Sequence, residues 1–201
     1  MNSSIYSLLH NESALYILNN IQSIPSGQNN VKSTVKILNQ DFLSRYDIAF
    51  EDYALPIFPP NSNDIDLRQW IAESSQSNDL KGFVNQTIDI LEQELPQVDY
   101  YNQLDNLLNT ADGVLTSNDK IKFQDSILVA KRSYELWFSE IGGQREWLSE
   151  LRNIDLPNPN DVVASINWWK VLGVDIVGGI VSAGNPVGFL GASTIAVIMM
   201  W

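Results

Sequence analysis

The sequence predicts an all-α fold, an irregular multi-helix bundle that ends in an apolar helical hairpin. Apolar residues recur every three or four positions along most of the chain, which is the period of a helix face packed on a core. Prolines and glycines separate these periodic stretches, and no stretch shows the apolar–polar alternation of a strand. Helices joined by short breaks bury their apolar faces against one another, so a bundle follows.

Two helices and an apolar loop are predicted in the first third of the chain. The first helix spans residues 3–24 and ends at Pro25, and the second spans about 30–46. Residues 47–63 contain three prolines, which exclude a helix interior. We expect this loop to pack on the core, with recognition of a partner as the alternative.

Four helices are predicted in the middle of the chain, over residues 64–74, 78–95, 97–110 and 116–141. Either Thr116 or Ser117 provides a side-chain cap for the last of them, which Gly142 and Gly143 end. The apolar residues of this helix predict a buried stripe of Ile121, Ile127, Leu128, Tyr134, Phe138 and Ile141.

The chain divides by composition into two units. Residues 1–156 form an acidic helical domain, and residues 157–201 form a Gly-rich apolar hairpin that packs on or within it. The segment from Ile176 to Trp201 carries no charge, and its length exceeds the roughly 20 residues that a membrane-spanning helix needs. Gly184-Asn185-Pro186 divides it, so we expect two helical pieces rather than one spanning helix.

Small residues follow a four-residue spacing through the apolar hairpin, which places them on one face of each helical piece. Such a ridge lets two helix backbones approach closely, either in a membrane or in a tight soluble pair. The predicted packing residues are Gly179, Ala183, Gly184, Gly188, Ala192 and Ala196.

Polar and aromatic residues at the start of the hairpin suggest two further features. Trp168, Trp169 and Lys170 have the composition of an interfacial membrane anchor, or else the two rings are a core aromatic pair. Asp175 is the one charge embedded in the apolar segment. It is either solvated at the edge of the segment or a deliberate buried polar group with a function.

Composition excludes several classes of function. The net charge of −12 and the scattered cations argue against nucleic-acid binding. The absence of cysteine removes disulfides, thiolate metal sites and cysteine nucleophiles, and the single histidine, His10, is expected at the surface or at a helix cap. No HExxH, P-loop or GxSxG motif occurs, and Glu51-Asp52 is the one acidic pair worth testing for chemistry. We therefore expect no enzyme, no metal and no cofactor.

Parts of the sequence resemble a loose group of uncharacterised proteins from Bacteroidetes. The resemblance lies in four short segments, Leu115–Lys120, Ala130–Trp137, Ala164–Val171 and Asp175–Gly179. The proteins of this group look like secreted proteins or lipoproteins, in which a helical domain precedes a Trp-rich turn and a Gly-rich hydrophobic tail. The resemblance covers about residues 100–184 and implies a bacterial envelope or secreted location, although no leader precedes the first helix here. A cytoplasmic location is the alternative.

Two functions follow from these features. The first is a non-enzymatic envelope or secreted protein, bacteriocin-like or effector-like, whose apolar segment inserts into a lipid membrane or associates with a partner helix or a second copy. In this case the acidic domain holds the segment until release. The second is a soluble helical binding or scaffold module in which the segment is simply the buried core.

Overall fold

The computed structural model describes residues 4–20, 37–47, 65–138 and 167–181, and these residues fold into helices joined by turns. In chain order the helices are α1 (Ser4–Asn19), α2 (described over 37–44), α3 (Leu67–Glu73), α4 (Asn78–Leu91), α5 (Gln97–Asp112), α6 (Ser117–Phe138) and α7 (Trp168–Val181). No strand occurs in these four ranges. The prediction of an all-α bundle is confirmed.

Side chains that accept hydrogen bonds from exposed backbone amides fix where four of the helices begin. Thr116 accepts from the amide of Asp119 at 3.3 Å, so Thr116, one of the two predicted candidates, caps α6. The same contact is made by Asp66 at α3, Ser77 at α4 and Asn167 at α7.

The end of α4 differs from the prediction. The helix stops at Leu91 instead of continuing to residue 95. Pro96 disfavours the helical conformation of the residue before it, and Glu94 adopts a φ of 51°, which no helix interior accommodates. In contrast, α5 continues two residues beyond its predicted end at 110 and stops before Gly113.

Helix α7 lies inside the bundle. Every residue from Val171 to Ile180 is buried, and the helix packs along α6 and against α3 and α4. One face of α7 joins α3 to α6 in the main core, whose buried members include Ile71, Leu80, Phe83, Ile88, Tyr100, Leu104, Phe123, Leu172 and Ile176. Residues 171–180 of the predicted apolar hairpin are therefore buried among helices from the preceding part of the chain.

The predicted stripe of α6 was partly wrong. Ile121 and Leu128 are 53% and 41% exposed, and they lie two turns apart on the outer face. The buried face contains Phe123, Ile127 and Ala130, together with small polar residues that an apolar pattern does not mark. Because α6 contacts α1, α4, α5 and α7, its buried face is wider than one apolar stripe and includes Ser133.

A close contact between α3 and α7 depends on Gly173. A β-carbon at this position would come within 2.3 Å of Leu67 Cδ1. We expect Gly173→Val to lower the free energy of unfolding by about 1–3 kcal/mol, because the added side chain overpacks this contact. Gly82 has open space around it, so Gly82→Val should change stability by only a few tenths of a kcal/mol. Equal losses in urea unfolding would contradict the close contact.

Some predicted features lie outside the described residues. These are most of the proline-rich loop with Glu51 and Asp52, the hinge at 184–186, and the packing residues Ala183, Gly184, Gly188, Ala192 and Ala196. Within the described ranges, no helix combines the length and the apolar character needed to cross a membrane.

Candidate functional site

A buried polar cluster lies where α1, α6 and α7 meet, and it consists of His10, Asn11, Ser133 and Asp175. His10 Nε2 lies 3.2 Å from Asp175 Oδ2, and the Ser133 hydroxyl donates to the same carboxylate oxygen. Ser133 Oγ is also 3.4 Å from His10 Nε2. The side chains of His10, Ser133 and Asp175 are at most 1% exposed, so the ion pair is removed from water.

Asn11 determines which atoms the imidazole of His10 meets. Its Nδ2 donates to the carbonyl of Arg132 at 3.0 Å, which directs its Oδ1 towards His10 Nδ1, 2.9 Å away. Both ring nitrogens of His10 therefore face hydrogen-bond acceptors, Asn11 Oδ1 on one side and Asp175 Oδ2 on the other. An imidazole satisfies two acceptors only when both nitrogens carry a proton, so the geometry favours the charged form.

Electrostatics in the cluster agree with this geometry. Burial alone lowers the pKa of His10, but the negative charge of Asp175 and the hydrogen bonds to Asp175 and Asn11 outweigh it. The pKa of His10 consequently lies above its ordinary value of 6.5.

The cluster differs from a catalytic triad in its connectivity. In a triad, histidine stands between serine and the carboxylate and contacts each through a different nitrogen. Here Ser133 donates directly to Asp175, and both of them meet the same nitrogen of His10. These buried side chains join α1, α6 and α7 inside the bundle.

The expectation that His10 lies at the surface was wrong. The residues around it on α1 gave no sign of burial, because His10-Asn11-Glu12 interrupts the apolar pattern. The partner that explains the burial, Asp175, lies near the other end of the described chain. Asp175 is fully buried in α7 rather than solvated at an edge. The signal in the sequence was Asp175 alone, a single acid inside otherwise apolar surroundings, which calls for a buried polar partner.

The predicted anchor residues lie in an aromatic cluster at the start of α7. The ring of Trp169 is 4.4 Å from that of Phe138 and contacts Tyr134 edge-on at 5.8 Å. Trp168 packs on Trp137 at 5.2 Å. Packing within the bundle accounts for the position of both tryptophan rings. The third predicted anchor residue, Lys170, lies beside a groove at the same end of α7, and Gly179 is buried near the other end.

Two neighbouring tyrosines in this cluster should respond oppositely to loss of their hydroxyls. The buried Tyr100 hydroxyl has no hydrogen-bond partner among the residues that the structure describes. Burial raises its pKa well above 10, and repulsion from Tyr101 and Tyr134 adds to the effect. Tyr100→Phe removes this unsatisfied group, so we expect unchanged or higher stability, by up to about 1 kcal/mol. Tyr101 donates to the carbonyl of Lys131 at 2.9 Å. Tyr101→Phe should therefore cost about 1 kcal/mol in thermal unfolding, and the reverse order would contradict this assignment.

The groove beside Lys170 has a volume of about 550 Å³ and lies between α3, α4 and the start of α7. Its walls include apolar residues such as Ile88 and Leu91. The guanidinium of Arg68 is held by Asp89 at 2.8 Å and Glu92 at 2.7 Å, so opposite charges already balance it at the rim.

No metal centre is formed by the described residues, since nowhere in those ranges do three or more histidine or acidic side chains converge. Comparison with known proteins found no matching family model, no similar curated protein and no similar solved structure.

Proposed function

We propose that this protein is a non-enzymatic helical module that keeps the apolar helix α7 inside an acidic bundle and releases it to associate with a lipid membrane. The bacterial envelope or secreted location implied by the resemblance belongs to this proposal. The observation that carries it is the burial of α7 from Val171 to Ile180 around the ion pair between Asp175 and His10.

A buried ion pair is an unusual way to fasten an apolar helix. Removing two charges from water is costly, and well-packed apolar side chains of similar volume often stabilise a core equally well or better. The pair therefore adds a contact that a change of charge can weaken. The sequence after Asp175 carries no charge as far as Trp201, so release of this segment would present a long apolar surface to a bilayer.

Vesicle flotation tests the proposal. The full chain is mixed with anionic and with zwitterionic vesicles, as wild type and as His10→Gln, which removes the cation beside Asp175. We expect wild type to stay in the aqueous fraction at a pH of about 6 and His10→Gln to float with lipid. Adding Ile195→Lys to His10→Gln places a charge in the apolar segment and should reduce flotation. Flotation of neither protein under any condition would contradict the membrane proposal.

The alternative is a soluble helical binding or scaffold module, in which α7 remains core. The groove of about 550 Å³ between α3, α4 and α7 favours it, because a site lined by both apolar and charged side chains suits a partner segment. Association with a partner helix or a second copy is then the expected activity. If the partner is a second copy of this chain, sedimentation of the full chain without lipid should show self-association that depends on concentration.

A further inference from the structure

The face of α7 that carries Asp175 is separate from the face packed in the main core. Leu172, Ile176 and Ile180 lie on one side of the helix and belong to the core of α3 to α6. The outer face of α7, formed by Val171, Val174, Asp175 and Gly178, lies on the opposite side at the spacing of one helix turn. All four residues are buried, and α1 reaches this face through His10.

Helices α1 and α2 form a layer of their own. None of their residues belongs to the main core of α3 to α7. The two helices are joined by a buried hydrogen bond from Ser13 Oγ to Asn39 Oδ1 at 2.8 Å and by ring packing of Tyr16 on Phe42 at 5.7 Å. Helix α1 packs along α6, and its polar contacts to the bundle include the His10–Asp175 pair and the bond from Asn11 to the Arg132 carbonyl.

We propose that the ion pair between His10 and Asp175 latches α1 onto the outer face of α7, and that deprotonation of His10 opens this latch. The opening concerns α1 and α7 and stands independently of lipid. Its consequence, exposure of the apolar segment to a bilayer, rests on the proposed function.

The charged groups around the latch, apart from Asp175, are exposed to solvent to some degree, whereas His10 is buried. Those carried by α1, the 37–47 segment, the C-terminal half of α6 and α7 are Glu12, Asp41, Arg45, Asp47, Lys131, Arg132, Glu135, Lys170 and Asp175. All except Asp175 are at least partly exposed. Three of the cations form ion pairs of their own: Arg45 with Asp41 at 3.0 Å, Arg132 with Glu135 at 2.9 Å, and Lys131 with Asp105 at 2.6 Å. Solvent and salt screen such pairs, whereas the His10–Asp175 pair is shielded from both.

The direction of the pH response follows from linkage. The folded pKa of His10 lies above its unfolded value of 6.5, so the folded protein binds the proton more tightly. The stability from this proton is fully present below pH 6.5 and is lost as the pH rises through the folded pKa. The latch is accordingly closed in acidic solution and loosens as the solution becomes alkaline.

Hydrogen exchange of the full chain without lipid tests the latch. Exchange of α7 amides, corrected for intrinsic rates, is compared with that of α4 between a pH of about 6 and about 9. In wild type we expect α7 to lose at least about tenfold more protection than α4 as the pH rises. His10→Gln should show the lower protection already at the acidic end and little further change. Glu12→Gln, a charge removal on the exposed side of α1, should behave as wild type.

The results separate the latch from the membrane proposal. A wild-type α7 whose protection follows that of α4 at every pH would overturn the latch, as would a pH response retained in His10→Gln. Since the wild-type comparison needs no substitution, instability of a variant leaves the test intact. Flotation failure together with pH-dependent opening of α7 would overturn the membrane proposal alone.

Discussion

His10→Ala is expected to lower the free energy of unfolding by about 3–5 kcal/mol at a pH of about 6. The substitution takes away the cation that lies 3.2 Å from Asp175 and leaves that carboxylate buried. Loss of one member of a buried pair exposes the full cost of desolvating the other. Urea unfolding measures the change, with Glu12→Ala on the exposed side of α1 as the matched control, expected to cost under about 1 kcal/mol.

A double-mutant cycle separates the pair from the cavity that His10→Ala leaves. His10→Leu and Asp175→Leu are measured singly and together. If the two side chains form an ion pair, the double variant should be more stable than the sum of the single losses predicts, because neither charge is left behind. Additive losses would show that His10 and Asp175 do not interact.

Phe123→Ala is expected to lower the free energy of unfolding by about 3–5 kcal/mol, the usual cost of truncating a buried aromatic ring. Phe123 is completely buried on α6, and its ring lies 5.5 Å from that of Phe83 on α4. The truncation therefore removes packing between two helices of the main core and leaves a cavity there.

Ile121 provides the control for this prediction on the same helix. It lies half a turn earlier and is 53% exposed, so Ile121→Ala should change stability by less than about 0.5 kcal/mol. The two variants are compared in urea unfolding under identical conditions. A larger loss for Ile121→Ala than for Phe123→Ala would mean that α6 is rotated relative to the structure, with the originally predicted stripe facing the core.

Local chemistry explains why the helices could be predicted. Thr116 marks the start of α6 because its hydroxyl accepts from an exposed backbone amide, and Pro96 forces a break because it restricts the residue before it. Such rules act within four or five residues. These rules did not predict the turn at Glu94, whose φ is 51°. The helix α4 therefore ends several residues before Pro96, the residue from which its end was predicted.

Burial of polar groups could not be predicted in the same way. Ser133 and His10 lie on buried faces only because α6 and α1 meet α7, and that meeting depends on residues far apart in the chain. A prediction from the apolar pattern treats polar residues as exposed and apolar residues as buried. For this reason it placed His10 at the surface and Ile121 in the core, and both assignments were wrong. Asp175 was recognised as embedded because its neighbours are uniformly apolar, whereas its partner had no comparable local signal.

The ionisation of His10 tests the central claim, a buried ion pair between α1 and α7, most directly. His10 is the sole histidine of the chain, so its imidazole signals can be assigned by NMR without ambiguity. We expect the pKa of His10 in the wild type to lie above 6.5, and to fall below 6.5 in Asp175→Asn, where burial is no longer opposed by the carboxylate charge. A wild-type pKa at or below 6.5 that Asp175→Asn leaves unchanged would contradict the ion pair and the latch built on it.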